Sequence, residues 1–134
     1  MSDESRVLAG ILLLALVTVE TGGLYLVKMV RGRAAATPFQ LAFARAGHAH
    51  AGVLLILALV CQPLVDTADL SGLWDRLARQ GVPAAALLMP AGFFFSSMGA
   101  GRTTPNRLIA LVFLGAAVLA LGLTALGVGL LLAG

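Results

Sequence analysis

Three side chains that could do chemistry lie inside one long apolar stretch of this chain. Arg45, His48 and His50 all fall within residues 43–52, among alanines and glycines. A charge at the centre of a membrane costs roughly 2.5–3.5 kcal/mol, so an ionisable group there generally has a partner and a function. A histidine can act as a general acid, and an arginine can stabilise developing negative charge. The segment is therefore the starting point for a functional site.

Composition places that segment in a membrane. Hydrophobic residues make up 60% of the 134 and charged residues 11%, whereas a soluble domain has about 45–50% and 25%. This length allows one transmembrane domain, residues 1–134, with about four helices of ~20 residues each. Cys61, the single cysteine, can form neither an intrachain disulfide nor a thiolate metal site within one chain, which excludes the thiol-redox membrane enzymes.

Capping signals locate the helices. Ser2 precedes two acidic residues and can cap the first helix, and Thr37 followed by Pro38 has the N-cap and first-position pattern of a second helix. Thr104 and Pro105 repeat that pattern before the fourth. We predict an all-α, integral membrane four-helix bundle. Its spanning helices are roughly 6–30, 38–61, 83–98 and 105–133.

The connection between the second and third helices is the only long polar one. The pair Gln62 and Pro63 predicts the end of the second helix. Apolar residues recur at three-to-four spacing through 66–80, which predicts a short interfacial amphipathic helix with Trp74 at headgroup level. Pro90 predicts a kink or a break in the third helix.

Loop charge predicts an orientation. The first and third connections are basic, and the side of a membrane protein that carries more lysine and arginine is generally cytoplasmic. The basic residues of these connections are Lys28, Arg31, Arg33, Arg102 and Arg107. We therefore expect a multi-pass protein of the cell membrane with both termini outside. Net charge is +3, but the nine basic residues are scattered at helix ends, so we exclude nucleic acid as a partner.

Glu20 is the predicted partner of the second-helix residues. Counted at 1.5 Å per residue from the cytoplasmic side, Glu20 and His48 each lie at ~15 Å and Arg45 at ~10 Å. Sequential helices joined by a short loop are normally neighbours. Glu20, Arg45 and His48 are therefore the predicted catalytic group. Three alternatives remain: Arg45 extending to the headgroups, Glu20 as a structural neutral acid, and His50 bonded to a backbone carbonyl.

The histidine spacing limits any metal site. His48 and His50 differ by ~200° around a helix, so they cannot ligate one metal from one unbroken helix. A catalytic zinc generally needs three protein ligands, and a haem held by two histidines would need His48 or His50 from two chains. The sequence predicts no cofactor, with haem or a transition metal shared between chains as the alternative.

The neighbourhood of the histidines allows a ligand pocket. Small residues surround Arg45 and His48, which permits either close helix packing or a cavity. A cavity on which Glu20, Arg45 and His48 converge would suit a small lipophilic or aromatic substrate, and its apolar walls would be Phe39, Phe43, Phe94 and Leu24. The predicted substrate-binding residues are His50, Phe43 and Phe94.

Glycines suggest close helix contacts in the fourth helix. They are Gly115, Gly122, Gly127 and Gly129. Small residues let membrane helices approach closely. If the protein were a transporter, the four helices of one chain would need those of further copies to enclose a transport path. We therefore expect a homo-oligomer as well as the bilayer itself as a partner.

The helix layout and the segment around Gly52 carry a family resemblance. Four spanning helices, a proline-led second helix and a histidine-containing Gly-Ala segment followed by the apolar run 53–59 resemble the hydroxylaminobenzene mutase group of small membrane proteins. That group has a histidine and a glutamate near the glycine, whereas here Ala51 precedes Gly52. The resemblance implies an isomerase that moves a hydroxyl group from nitrogen to a ring carbon. Protonated Glu20 or His48 would then be the general acid on the N–O oxygen.

A second similarity supports a different class of function. The segment 48–50 is similar to the histidine-bearing helices of haem-copper oxidase subunits, which use many more histidines than the two present here. A haem- or metal-binding redox subunit is therefore one alternative. A non-catalytic transporter or partner component is another.

Overall fold

The computed structural model describes residues 1–133, which form an all-helical protein. The helices are α1 (Asp3–Val30), α2 (Pro38–Val65), α3 (Gly72–Ser96) and α4 (Ala110–Leu132), with a single 3-10 turn (Arg107–Ile109) leading into α4. The part of the chain that the structure describes contains no strand. The predicted all-α class is confirmed.

The helices pack in chain order. α1 lies on α2, α2 on α3, and α3 on α4, with a small direct contact between α2 and α4. Neighbouring helices run antiparallel, so the bundle has a terminal end, near Ser2 and Asp66, and a loop end, near Gln40 and Ser97. At the terminal end the Ser2 N–H donates to the Asp66 carboxylate at 2.7 Å. At the loop end Gln40 Nε2 donates to the Ser97 carbonyl at 3.0 Å.

Within residues 1–133, three stretches of helix are long and apolar enough to cross a membrane. They are Asp3–Val30, Pro38–Val65 and Arg107–Leu132. α3 is not among them, and its first turns carry Asp75 and Arg79. α1 also leaves large apolar side chains such as Leu14 and Leu24 exposed. These features are compatible with a membrane protein whose most polar helix is held between two apolar neighbours.

Two of the three predicted N-terminal helix caps are confirmed. The Ser2 side chain accepts from the Ser5 N–H, and Thr37 and Gln40 form a reciprocal capping box in front of Pro38. The Thr104 cap is wrong. Asn106 caps the 3-10 turn there, because its side-chain oxygen accepts from the Leu108 N–H at 2.8 Å.

The boundaries of α2 and α3 differ from the prediction. α2 continues through Pro63 to Val65, and the predicted short interfacial helix is not a separate element. Residues 72–80 are the first turns of α3, which runs through Pro83 and Pro90 without the predicted break. The third helix is therefore longer than predicted and carries both polar and apolar halves.

A side chain from α2 explains why α3 can continue through a proline. Pro83 has no N–H, so the carbonyl of Arg79, four residues earlier, loses its usual helical donor. Gln62 Nε2 donates to that carbonyl at 3.2 Å and to the Ala58 carbonyl at 3.3 Å. Gln62 is 0% exposed. A buried amide of α2 thus replaces the missing backbone hydrogen bond of α3.

Glycines bring α3 and α4 into close contact. A Cβ placed on Gly122 would lie 2.9 Å from the Gly81 Cα and 2.9 Å from the Leu77 carbonyl oxygen. Gly115 meets Met89 in the same way, whereas a Cβ on Gly127 would meet nothing within 4 Å. The predicted close helix contact exists, and these glycines use it to pack α4 on α3 of the same chain.

Candidate functional site

A cleft opens at the loop end between α1, α2, the end of α3 and the connection to α4. Its volume is about 950 Å³. Apolar side chains dominate its walls, and they include Leu26, Met29, Phe94, Phe95 and Met98. The polar side chains are Tyr25, Thr37, Gln40 and Ser97. Apolar walls with a few polar groups are typical of a site for a small organic ligand.

Gln40 organises the polar part of this cleft. Its Nε2 donates to the carbonyls of Ser97 and Gly99 at 3.0 and 2.8 Å, and its Oε1 accepts from the Thr37 N–H at 3.1 Å. The Thr37 hydroxyl donates to the Arg102 carbonyl at 2.6 Å. These groups fasten the connection between α3 and α4 onto the start of α2. What remains for a ligand is mainly apolar surface.

His48 lies next to the cleft. Its half-buried ring packs on two glycines of α1. A Cβ added to Gly22 would lie 3.6 Å from the His48 Nδ1, and a Cβ added to Gly23 would lie 3.3 Å from the His48 Cε1. Gly22 also lines the cleft. Gly22 is therefore next to both the ring and the cavity. Within the described residues, its nitrogens form no hydrogen bond to protein.

His50 faces a different helix. Its Nδ1 lies 2.7 Å from the Ala46 carbonyl oxygen, and its ring centroid lies 4.9 Å from that of Phe93 on α3. His48 and His50 thus have different neighbours, as their helical spacing predicts. No group of three histidine, cysteine, aspartate or glutamate side chains in the described part of the chain could hold a metal ion.

The other predicted site residues are dispersed. Phe94 lines the cleft. Phe43 packs instead against Phe39 in a tilted arrangement, with ring centroids 4.3 Å apart, and edge-to-face against Phe93, with centroids 5.5 Å apart. Glu20 and Arg45 are exposed. The ion pairs found in residues 1–133 include neither of them, so the structure shows no Glu20–Arg45 bond. Of the predicted catalytic group, His48 lies against Gly22, which lines the cleft.

A buried ionic cluster at the terminal end escaped the sequence-based interpretation. We call it the Arg79 cluster. Arg79, 6% exposed, donates from Nη1 to Asp66 at 3.1 Å and from Nη2 to Asp75 at 3.1 Å. Nη1 also donates to the Ser5 hydroxyl, and Nε lies 3.7 Å from Glu4. The cluster connects α1, α2 and α3.

Asp66 is the most strongly bonded acid of the Arg79 cluster. Burial by itself would raise the pKa of Asp66, but hydrogen bonds from Ser2, Ser5 and Arg79 hold that pKa well below its ordinary value. The hydroxyls of Ser2 and Ser5 each lie 2.8 Å from Asp66 Oδ1. The carboxylate is therefore stabilised in its charged form, because donors surround it.

This environment predicts an acid-sensitive fold. A carboxylate with a depressed folded-state pKa stabilises the protein above its unfolded pKa, about 3.9 for aspartate, and the contribution is lost as pH falls through the folded value. The melting temperature in detergent should therefore drop as the pH is lowered below about 4. Asp66→Asn should melt lower at neutral pH and show a flatter acid dependence. An unchanged slope in this variant would contradict the assignment.

No family model matches this chain. Comparison with curated proteins and with solved structures also finds no match. The function must therefore be inferred from the geometry of the cleft, of His48 and of the Arg79 cluster.

Proposed function

We propose that this chain is a membrane-embedded enzyme that binds a small lipophilic or aromatic substrate in the loop-end cleft, with His48 as its acid-base group. One observation carries the proposal. Gly22 lines the cleft and also lies against the His48 ring. Because glycine has no side chain, no side chain at position 22 stands between the His48 ring and the apolar cavity.

Residence in a membrane is supported by the helices. Three stretches have the length and apolar character of spanning segments, and α1 exposes large aliphatic side chains along its length. Exposed apolar patches of that extent are unusual on soluble monomers. In a bilayer these side chains would contact acyl chains. The basic connections at the loop end would then place the cleft near the cytoplasmic surface.

The chemistry proposed for the cleft is an isomerisation. An aryl hydroxylamine and the aminophenol formed from it have the same atoms, so the reaction needs no external oxidant or reductant. Protonation of the N–O oxygen breaks the N–O bond and releases that oxygen as water. A water oxygen then adds to a ring carbon and gives up one proton, while the hydrogen of that ring carbon moves to the nitrogen. His48 would donate the first proton and accept the last. Phe94 and its apolar neighbours would hold the aromatic ring.

Ligand binding can be tested by filling the cleft from its edge. Ala36 lies in the connection between α1 and α2 and lines the cleft. We expect Ala36→Trp to weaken binding of N-phenylhydroxylamine at least tenfold, measured by equilibrium dialysis on purified protein, because the indole would occupy the cavity. Ala34→Trp, two residues earlier in the same connection, is the matched control and should bind normally. Equal binding by both variants would show that the cleft is not the site.

Catalysis is a separate arm of the same experiment. We expect wild-type protein to convert N-phenylhydroxylamine to an aminophenol, and His48→Gln to lose at least ~10²-fold in rate while its binding is retained. Gly127→Ala, in open space on α4, is the folded control. If the wild type bound the compound without converting it, the protein would be a non-catalytic ligand-binding protein. A Soret band in the purified wild type would instead support the haem-binding alternative.

A further inference from the structure

Two opposite charges are exposed on the apolar helices α1 and α2. Glu20 lies within α1 and Arg45 within α2, and both helices have the character of membrane spans. Neither side chain belongs to any ion pair found in residues 1–133. An unpaired charge facing hydrocarbon is costly, and charged side chains in spanning helices almost always pair or face a protein interior. The described residues of one chain thus give neither charge an ion-pair partner.

Helix contacts show that the two charges face the same way. Val19 lies opposite Gly52, and Gly23 lies opposite His48. At ~100° per residue, Glu20 then points roughly 90° away from the direction of α2, and Arg45 roughly 40° away from the direction of α1. Both rotations lead to the side of the α1–α2 pair that is turned away from α3. Glu20 and Arg45 therefore belong to one surface.

The pairing register fixes their separation along the bundle. Since Gly23 is level with His48, Arg45 lies about six residues, or ~9 Å, nearer the loop end than Glu20. That offset is the same between two copies that lie side by side in one orientation. It is within the combined reach of an extended arginine and a glutamate that approach from two chains.

The surface beside Arg45 also permits close approach. Ala42 and Ala49 flank it on the same face of α2, and both are exposed. Small side chains are enriched where membrane helices pack together, because they let backbones come near. The surface thus combines a negative charge, a positive charge and a flat strip of small residues.

We propose that a second copy of this chain packs on the surface formed by Glu20, Arg45, Ala42 and Ala49. Glu20 of each copy pairs there with Arg45 of the other. A two-fold interface uses the same patch on both subunits and must be self-complementary. A patch that carries one charge of each sign meets this condition. Lipid headgroups could accept Arg45, but they would leave Glu20 unpaired in hydrocarbon.

The proposed interface depends on the proposed residence in a membrane. Flotation of the protein with lipid vesicles is therefore measured first, as a separate test of membrane residence. Single-molecule photobleaching of labelled full-length protein in dilute phosphatidylcholine vesicles then counts the copies. We expect dimers for wild type. Glu20→Arg and Arg45→Glu should each weaken dimerisation at least tenfold, and the double reversal should restore it. Arg33→Glu changes the net charge by the same amount as Arg45→Glu and should dimerise normally.

Neutral variants show whether the charge reversals act on the interface or only disturb insertion into the membrane. Glu20→Gln and Arg45→Gln should each weaken the dimer, and combining them should add little, because each breaks the same pair. A monomeric wild type that floats with vesicles would overturn the interface while leaving membrane residence intact. Dimerisation of the single reversals at wild-type strength would overturn it as well, as would a double reversal without rescue.

Discussion

Replacing Arg79 by alanine should lower the free energy of unfolding by about 3–5 kcal/mol, the cost of removing one partner from a buried ionic network. The guanidinium is buried and bonds Asp66, Asp75 and the Ser5 hydroxyl. Without it, two carboxylates keep their desolvation cost and lose their cation. α1, α2 and α3 would also lose a common link. Reversible unfolding in mixed detergent micelles measures this change.

Arg76 supplies the matched control. It lies in the same turns of α3 but is exposed, and it belongs to none of the ion pairs found in the described residues. Arg76→Ala should change stability by less than about 0.5 kcal/mol, as is usual at exposed positions. If both variants were destabilised equally, the loss of stability would come from removing any arginine in these turns of α3, and not from breaking the Arg79 cluster.

The second large effect is expected at Gly122. Alanine there would put its Cβ 2.9 Å from both the Gly81 Cα and the Leu77 carbonyl oxygen. Both are backbone atoms, so neither can move aside as a side chain would. Overpacking generally costs about 1–3 kcal/mol, and separation of α3 from α4 would add lost contacts. We expect a lower melting temperature in detergent together with faster proteolysis.

Gly127→Ala tests whether that loss comes from the interface. The residue lies in the same helix, but its added Cβ would meet no atom within 4 Å. Alanine is favoured over glycine in a helix by roughly 0.8–1 kcal/mol in model peptides. The variant should therefore be as stable as wild type or more so. A comparable loss at both positions would contradict close packing as the cause.

Local sequence signals predicted much of the fold. Ser2, and Thr37 followed by Pro38, identified two helix starts because a cap depends on residues within one turn. Thr104 failed although Pro105 follows it, since the chain forms a tighter turn first and Asn106 provides the cap. The packing glycines were also identified in advance, but which helix they would meet was not.

Contacts between distant residues were beyond sequence reasoning. The separation of Ser2 from Asp66 is 64 residues and that of Ser5 from Arg79 is 74. Asp75 and Arg79 lie four residues apart, a spacing at which helical side chains can pair, but spacing cannot show that Arg79 is buried. Pro83 was interpreted as a helix start because the amide that compensates for it, Gln62, lies on another helix.

The candidate site was predicted only in part. The sequence directed attention to His48 and to Phe94, and the structure places both at the edge of the cleft or in its wall. The cavity itself depends on Tyr25, Met29 and the connection after α3. These residues come together only when the loop end closes, and no spacing rule brings them into one segment.

The hydrogen bond from Gln62 to the Arg79 carbonyl has a consequence for how the molecule assembles. α1, α2 and α4 lie in stretches that are long and apolar enough to form as independent helices in a bilayer, whereas α3 contains two prolines and a buried charge. Its first turns are completed by an amide of α2 and by acids from elsewhere in the chain. α3 should therefore become a continuous helix only after α2 is in place, which makes α2 an intramolecular template. A chain truncated after Val65 would insert two helices, but a fragment that begins at Gly72 would not build the third.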